Sequence, residues 1–311
     1  MSLDVPLQLV SGALIFATNF ALVVGLAAVG AALTERAGVL NLGHEGIMLF
    51  GAAAGFVAAH GASNPWMGLA GGLAAGLALG AVKGLWSVVF KTEQVINGLL
   101  LVPIGFGLGN LLFKYKFAQV LDPPRVPPVP PLGVPFLQDI PLLGPVLFNR
   151  SPLVYAALVL IGVTAWFLAR TRAGMMMRGA GESPETLDFN GVHVDAYRFA
   201  ATVLGAALTG FAGALLAVDQ LHLFHPLMTA GRGWIAIAIV IVGGWRPWAC
   251  VLAALLFGIT DMIQFQVQIQ ASPVPYELLL MLPYVATVAA LAWWRSSVRP
   301  PAALGQPYRR Q

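Results

Sequence analysis

Apolar residues come in long runs along this chain, and polar residues gather in short stretches between them. About 20 consecutive apolar residues in a helix suffice to cross the hydrocarbon core of a bilayer. Runs of that kind lie near 8–32, 43–60, 66–90, 94–113, 152–169, 198–218, 247–269 and 277–294, and a shorter one, WIAIAIVIVGG, fills 233–243. In lipid every backbone N–H and C=O needs a partner within the protein, so these runs predict an all-α, polytopic transmembrane helical bundle. The short run is either a re-entrant segment or half of a broken span. If it crosses, there are about nine spans, with broken or short helices among them.

Charge decides between the two. A crossing places the loop at 170–197 and the basic tail WWRSSVRPPAALGQPYRRQ on one side, together with Arg36, Lys83, Lys91 and Arg246. Only Lys114, Lys116, Arg125, Arg150 and Arg232 then lie opposite. Lys and Arg accumulate on the cytoplasmic side of membrane proteins, so the N-terminus is expected outside and the C-terminus inside. The start, MSLDVPLQLV, has Asp4 and no Lys or Arg, unlike the basic head of a cleaved signal peptide, so the first run is expected to remain as a span.

Composition sharpens this picture. With 58% hydrophobic residues, 10% charged residues, a mean hydropathy of +0.80 and 35 glycines, residues 1–311 read as a single transmembrane domain whose helices pack closely. The net charge of +4 follows from topology and gives no reason to invoke nucleic acid. Cys250 is the only cysteine, which excludes an intrachain disulfide. The Pro-rich outer loop at 114–151 carries nine prolines between Asp122 and Pro145 and is read as a stiff, extended connector.

An ionisable side chain inside a span costs about 2.5 to 3.5 kcal/mol at a helix centre, so each one asks for a reason. In LTERAGVLNLGHEGIMLFGA, Asn41, His44 and Glu45 stand at i, i+3 and i+4, on one face if the stretch is helical. Gly38, Gly43, Gly46 and Gly51 surround them and favour a broken helix beside a cavity. The plainer reading is a turn at Thr34, Glu35 and Arg36 with His44 and Glu45 at the mouth of the next span. Asp261, Gln264 and Gln268 form a second polar face, suited to hydrogen-bonding an uncharged polar solute or a neighbouring helix, with Phe257 and Phe265 beside it. Glu93, Gln94 and Asn97 open the fourth span, where solvation explains them. The candidate substrate pathway is therefore Asn41, His44, Glu45, Asn97, Asp261, Gln264 and Gln268, with Asp219, Gln220, His222 and His225 near its outer mouth.

Catalytic chemistry finds little support. His44-Glu45 begins like a zinc-protease signature, but Met48 stands where the second His belongs. No nucleophile elbow, P-loop or metal-ligand spacing occurs, so no catalytic residue, metal site or bound cofactor is expected.

One stretch is unlike its surroundings: GESPETLDFNGVHV, residues 181–194, has the signals of a short soluble helix. Ser183 can cap it, Pro184 suits its first position, Glu185 complements its dipole and Gly191 can stop it. So short a helix is marginal alone in water and is expected to dock against something.

AGMMMRGAGESPETLDFNGVHVDAYRF resembles the cytoplasmic loop of ABC-importer permeases, in which a coupling helix sits in a groove of the ATP-hydrolysing subunit. LTERAGVLNLGHEGIMLFGA and GRGWIAIAIVIVGGWRP are similar to segments of the nucleoside and simple-sugar permeases, related to the ribose and branched-chain amino-acid importers. The resemblance spans about residues 10–295. It implies that the cytoplasmic coupling loop, 170–197, meets the ATPase through Gly179, Gly181, Glu182, Ser183, Pro184, Glu185, Asn190 and Gly191. It also implies three partners in a bacterial inner membrane: a second permease that is a different chain, a cytoplasmic ABC ATPase that carries the ATP and Mg, and an extracytoplasmic substrate-binding protein. Transport would then be by alternating access, for nucleosides first and simple sugars second. An ion-coupled secondary transporter remains the alternative of another class, with Asp261 and Glu45 as its ion-binding carboxylates.

Overall fold

The computed structural model describes residues 4–119, 122, 124–133, 135, 137–138, 140, 143–269, 278–279, 281, 285, 288–289, 292 and 299–309. The expected span at 277–294 therefore lies largely outside the described residues. The described chain is helical almost throughout: α1 (Asp4–Arg36), α2 (His44–Ala62), α3 (Pro65–Gly84), α4 (Gln94–Phe117), α5 (Pro152–Arg170), α6 (Arg172–Glu182), α7 (Pro184–Phe189), α8 (Val194–Leu215), α9 (Arg232–Val242) and α10 (Pro247–Ile269). π turns at Leu85–Val89 and Leu216–Gln220 prolong α3 and α8. Among the described residues seven helices are long and apolar enough to cross a membrane, and α9 is a shorter apolar helix.

Side-chain and backbone bonds sort the connections into two ends. At one end lie the turn after α1, the turn after α3, the α6–α7 pair and residues 299–309: Gly305 donates its N–H to the Gly38 carbonyl at 3.1 Å, and Lys91 pairs with Asp195 at 3.6 Å. At the other end Arg150 meets Asn19, Ser151 meets Asp219, and Val126 donates to the His222 carbonyl at 3.1 Å. Burial lowers the pKa of the Arg150 guanidinium there, against the pull of Asp219. From α8 the chain returns through turns at 221–231, continues as α9 and reaches the first end at Trp245. The segment thus runs from one end of the bundle to the other, half irregular and half helix.

The Pro-rich loop starts later than expected, because α4 carries Lys114 and Lys116 to Phe117. Beyond it, residues 124–131 form no helix or strand, and a minimal antiparallel pair joins β1 (Leu132–Gly133) to β2 (Asn149–Arg150). With φ fixed and no N–H to donate, proline disfavours regular structure here, and the loop's one helical turn among the described residues, Gly144–Phe148, takes Pro145 at its start, where no N–H is needed.

The core sits where α1, α2, α3 and α8 meet, and α8 is its axis, buried along most of its length. Small residues face one another there, which lets the backbones come close enough for dispersion to hold helices together in lipid. Gly46 of α2 lies against the backbone of Leu101 and Val102, and Gly105 against Gly46 itself.

Candidate functional site

α2 does not begin at the surface. Residues 37–43 run unwound along the first turns of α4: Leu40 donates its N–H to Gln94 Oε1 at 2.8 Å, and a Cβ on Gly43 would lie 2.7 Å from Leu101 Cβ and 2.9 Å from the Gly98 carbonyl. The N-terminus of α2 thus stands about two turns inside the start of α4. Asn41 belongs to this unwound segment rather than to a helical face, and its Oδ1 accepts from the Gly43 N–H at 2.9 Å. The expected i, i+3, i+4 face of Asn41, His44 and Glu45 is therefore corrected: glycines at 38 and 43 break the helix before it reaches Asn41.

His44 and Glu45 open α2 and point to different neighbours. His44 is fully buried, with Nδ1 2.9 Å from Thr209 Oγ1 of α8. Glu45 reaches the broken span. Its Oε1 accepts from Thr229 Oγ1 at 2.6 Å and from the Gly231 N–H at 2.9 Å, and its Oε2 accepts from the Gly233 N–H at 2.7 Å. Gly231 precedes α9 with φ +82°, a left-handed conformation that side chains with a Cβ resist. The carboxylate thus satisfies N–H groups that the start of α9 leaves over, and sits where the helix dipole favours negative charge. Two discontinuous helices meet tip to tip through one side chain.

Beside this junction is a cavity of about 450 Å³ lined by Glu45, Gly46 and Leu49 of α2, Val102 and Phe106 of α4, and Pro226, Leu227, Thr229, Ala230 and Gly231 of the irregular half-span. It offers one aromatic face, one carboxylate and exposed backbone within an apolar wall. A carboxylate has room for about four hydrogen bonds, and three are used by the protein.

The other predicted pathway residues lie elsewhere. Asn97 is buried rather than solvated: its Oδ1 takes hydrogen bonds from Lys83 and from Ser87, the latter at 3.2 Å, and its Nδ2 donates to Thr92 Oγ1 at 3.0 Å. Lys83 is fully buried and also donates to the Gln94 carbonyl at 2.6 Å. Among the described residues no carboxylate lies within ion-pair distance of it, so Asn97 is its main side-chain acceptor. Asn97→Leu should therefore lower thermal stability by about 3 kcal/mol, since it strands a buried cation. Lys83→Met together with Asn97→Leu should recover most of that loss in a thermal unfolding assay of the purified protein.

Asp261, Gln264 and Gln268 are half-buried on α10, and none of them lines the cavity. Asp261 lies near enough to Arg232 for their charges to interact. Phe265 stacks on Phe16 of α1 with centroids 5.1 Å apart, and Phe257 is in the core. Among the described residues no group of three or more His, Cys, Asp or Glu comes together in a way that could hold a metal ion.

Within GESPETLDFNGVHV the expected short helix forms as α7, and α6 is a separate helix that precedes it. Thr171 caps α6 by accepting from the Gly174 N–H at 3.0 Å. Ser183 separates α6 from α7, and its hydroxyl meets Thr186 Oγ1 at 2.7 Å instead of a backbone N–H. α7 ends in a Schellman motif: Val192 donates to the Leu187 carbonyl at 3.0 Å and Gly191 to that of Asp188 at 2.9 Å, with Gly191 at φ +76°. Asn190 Nδ2 adds a bond to the Thr186 carbonyl at 2.7 Å. Pro184 and Glu185 occupy the first turn of α7 as expected. Gly179 lies against the Leu187 side chain, and Gly181 against Arg36 and Gly38. Glu182 turns back to its own chain, 3.6 Å from Arg36. Phe189, at 88% exposure, is the outermost apolar group of the loop.

Sequence reasoning missed Phe106, Thr229 and Gly233 as parts of the junction and cavity. The available signal was the pair of glycines around Arg232, just before an apolar run too short to span.

Comparison with known proteins agrees with this architecture. Residues 13–291 match the family described as the permease component of the branched-chain amino acid transport system. A protein of Haloferax volcanii provisionally named a glucose ABC transporter permease is 34% identical over 92% of this chain and 94% of its own length. A nucleoside ABC transporter permease protein of Lactococcus lactis is 30% identical over 90% of this chain and 91% of its own length. A guanosine ABC transporter permease protein of Bacillus subtilis is 28% identical over 91% of this chain and 92% of its own length. No solved structure matches the chain significantly. Matches that run almost from end to end, on a chain that folds as an all-helical polytopic bundle, show that it belongs to this family of ABC transporter permeases.

Proposed function

We propose that this chain is the membrane subunit of an ATP-driven importer of nucleosides, working by alternating access with a separate ABC ATPase, a second permease and an extracytoplasmic binding protein. The observation that carries the substrate class is the cavity beside the α2–α9 junction, where Phe106 and Glu45 share one wall space. A nucleoside base presents a flat face for the ring and N–H donors for the remaining acceptor site of the carboxylate, and its ribose fits the backbone groups of 229–231. Relatives named for nucleosides and for guanosine support the same reading. The single domain of 1–311 has its α6–α7 end in the cytoplasm, where this loop meets the ATPase, and its 118–151 loop outside. Asn41, His44 and Asn97 support the pathway from behind its walls, whereas Asp261, Gln264 and Gln268 serve helix packing. ATP and Mg belong to the ATPase.

The second reading is a simple-sugar permease, favoured by the Haloferax relative. Uptake by vesicles containing the chain and its partners separates the two. ATP-dependent uptake of labelled guanosine that excess ribose and glucose leave unchanged is expected. Suppression by either sugar moves the assignment to sugars, and uptake driven by an ion gradient without ATP removes the ABC mechanism.

A further inference from the structure

Residues 301–308 of the C-terminal tail lie along the α6–α7 loop and bind it at successive points. Ala302 donates its N–H to Glu182 Oε2 at 3.4 Å, Ala303 to the Gly181 carbonyl at 2.8 Å, and Gly305 to the Gly38 carbonyl at 3.1 Å. Tyr308 Oη donates to Asp188 Oδ2 of α7 at 2.9 Å. Behind them stands Arg198 at the start of α8, only 2% exposed. Its Nη2 donates to the Ala180 carbonyl at 2.9 Å and its Nη1 to the Gln306 carbonyl at 2.7 Å. One guanidinium thus joins the end of α6, the axial helix of the bundle and the tail. A turn at Gly305, with φ +77°, lets the tail fold back to make these bonds.

The arrangement matters because α7 has no buried residue. A short helix whose apolar contact is one half-buried side chain, Leu187 against Gly179, moves independently of the bundle unless polar ties hold it, and force applied to it is lost in its own displacement. The tail supplies a tie at Asp188, while Glu182 and Arg36 connect the same region to α1.

We infer that residues 301–308 form a strap that holds α6–α7 to α1 and α8, and that Arg198 and Tyr308 are positioning residues for energy coupling. The inference rests on α7 being the element that meets the ATPase. With the strap in place, displacement of α7 moves α8, whose middle carries the Thr209 contact to His44 at the start of α2. Without it α7 follows the ATPase while the bundle stays still.

The test uses the complete complex in proteoliposomes, with labelled guanosine, or labelled glucose if wild type carries that instead, and measures solute moved per ATP hydrolysed. Tyr308→Phe keeps the ring and removes the hydroxyl. The ATPase should co-purify and hydrolyse ATP as before, while solute moved per ATP falls about tenfold, the effect of one hydrogen bond to a charged group. Asp188→Ala should give the same loss, Asp188→Asn should restore most of it, and the double variant Asp188→Ala, Tyr308→Phe should be no worse than either single. Wild-type coupling in Tyr308→Phe, or additive losses in the double variant, would overturn the strap. Phe189→Asp tests the underlying reading separately: it should prevent co-purification of the ATPase, and undiminished co-purification would remove α7 as the docking element.

Discussion

Glu45→Ala is expected to reduce uptake about 100-fold while leaving insertion into the membrane intact. Hydrogen bonds to a charged group contribute about 1.5 to 3 kcal/mol each, and a donor left dry costs about 1 to 3 kcal/mol. The substitution strands Thr229 Oγ1 and the N–H groups of Gly231 and Gly233, which all converge on this carboxylate. Partial relaxation of the irregular half-span reduces the net effect to roughly 3 kcal/mol, or a factor of about 100 in the population of the competent state. Glu45→Gln separates charge from shape. Its amide oxygen can still accept, but its NH₂ faces donors, so uptake should stay nearer to Ala than to wild type. Labelled-solute uptake checks this, and wild-type rates in Glu45→Gln would show that the negative charge is dispensable at the tip of α9.

This geometry also bears on the ion-coupled alternative. Glu45 balances a helix N-terminus and holds two discontinuous helices together, which accounts for a half-buried carboxylate without invoking an ion. Asp261, the other candidate, has Arg232 nearby as a countercharge.

The helices were legible because their apolar runs are long, and periodicity is unambiguous at that length. The crossing of α9 followed from where arginines and lysines lie, since no property of WIAIAIVIVGG itself distinguishes a half-span from a re-entrant turn. What could not be read was three-dimensional pairing. Glu45 looked like one of three residues on a helical face, yet its partners stand more than 180 residues away, at Thr229, Gly231 and Gly233. Asn97 looked solvated because Glu93 and Gln94 beside it are polar, but the Lys83 ammonium, one helix earlier, draws it inward. The tail's proline- and arginine-rich sequence has no periodicity, and only the fold brings Tyr308 to Asp188. Local signals fix elements, and long-range partners decide which polar residues are structural.

Gly210→Val should be the most damaging single substitution in the bundle. Gly210 of α8 faces Gly51 of α2 on one side and Gly72 and Gly76 of α3 on the other; a Cβ there would collide with the Gly72 carbonyl and lie 2.8 Å from Gly76 Cα. These neighbours are backbone atoms, which cannot rotate aside as a side-chain tip can, so valine must spread all three helices. Overpacking typically costs about 1 to 3 kcal/mol, and the upper end applies where three rigid helices share the contact. The packing lost is the main attraction available in lipid, where no hydrophobic force drives helices together. The displacement also reaches the junction, because the adjacent Thr209 holds His44. Gly162→Ala on α5 is the control: nothing lies within 4 Å of its added methyl, so the only expected effect is a slight gain in helix propensity. A thermal unfolding series in detergent should show a large loss for Gly210→Val, a smaller one for Gly210→Ala and none for Gly162→Ala. Equal behaviour of the three would mean that α2, α3 and α8 are held by their larger side chains rather than by close backbone approach.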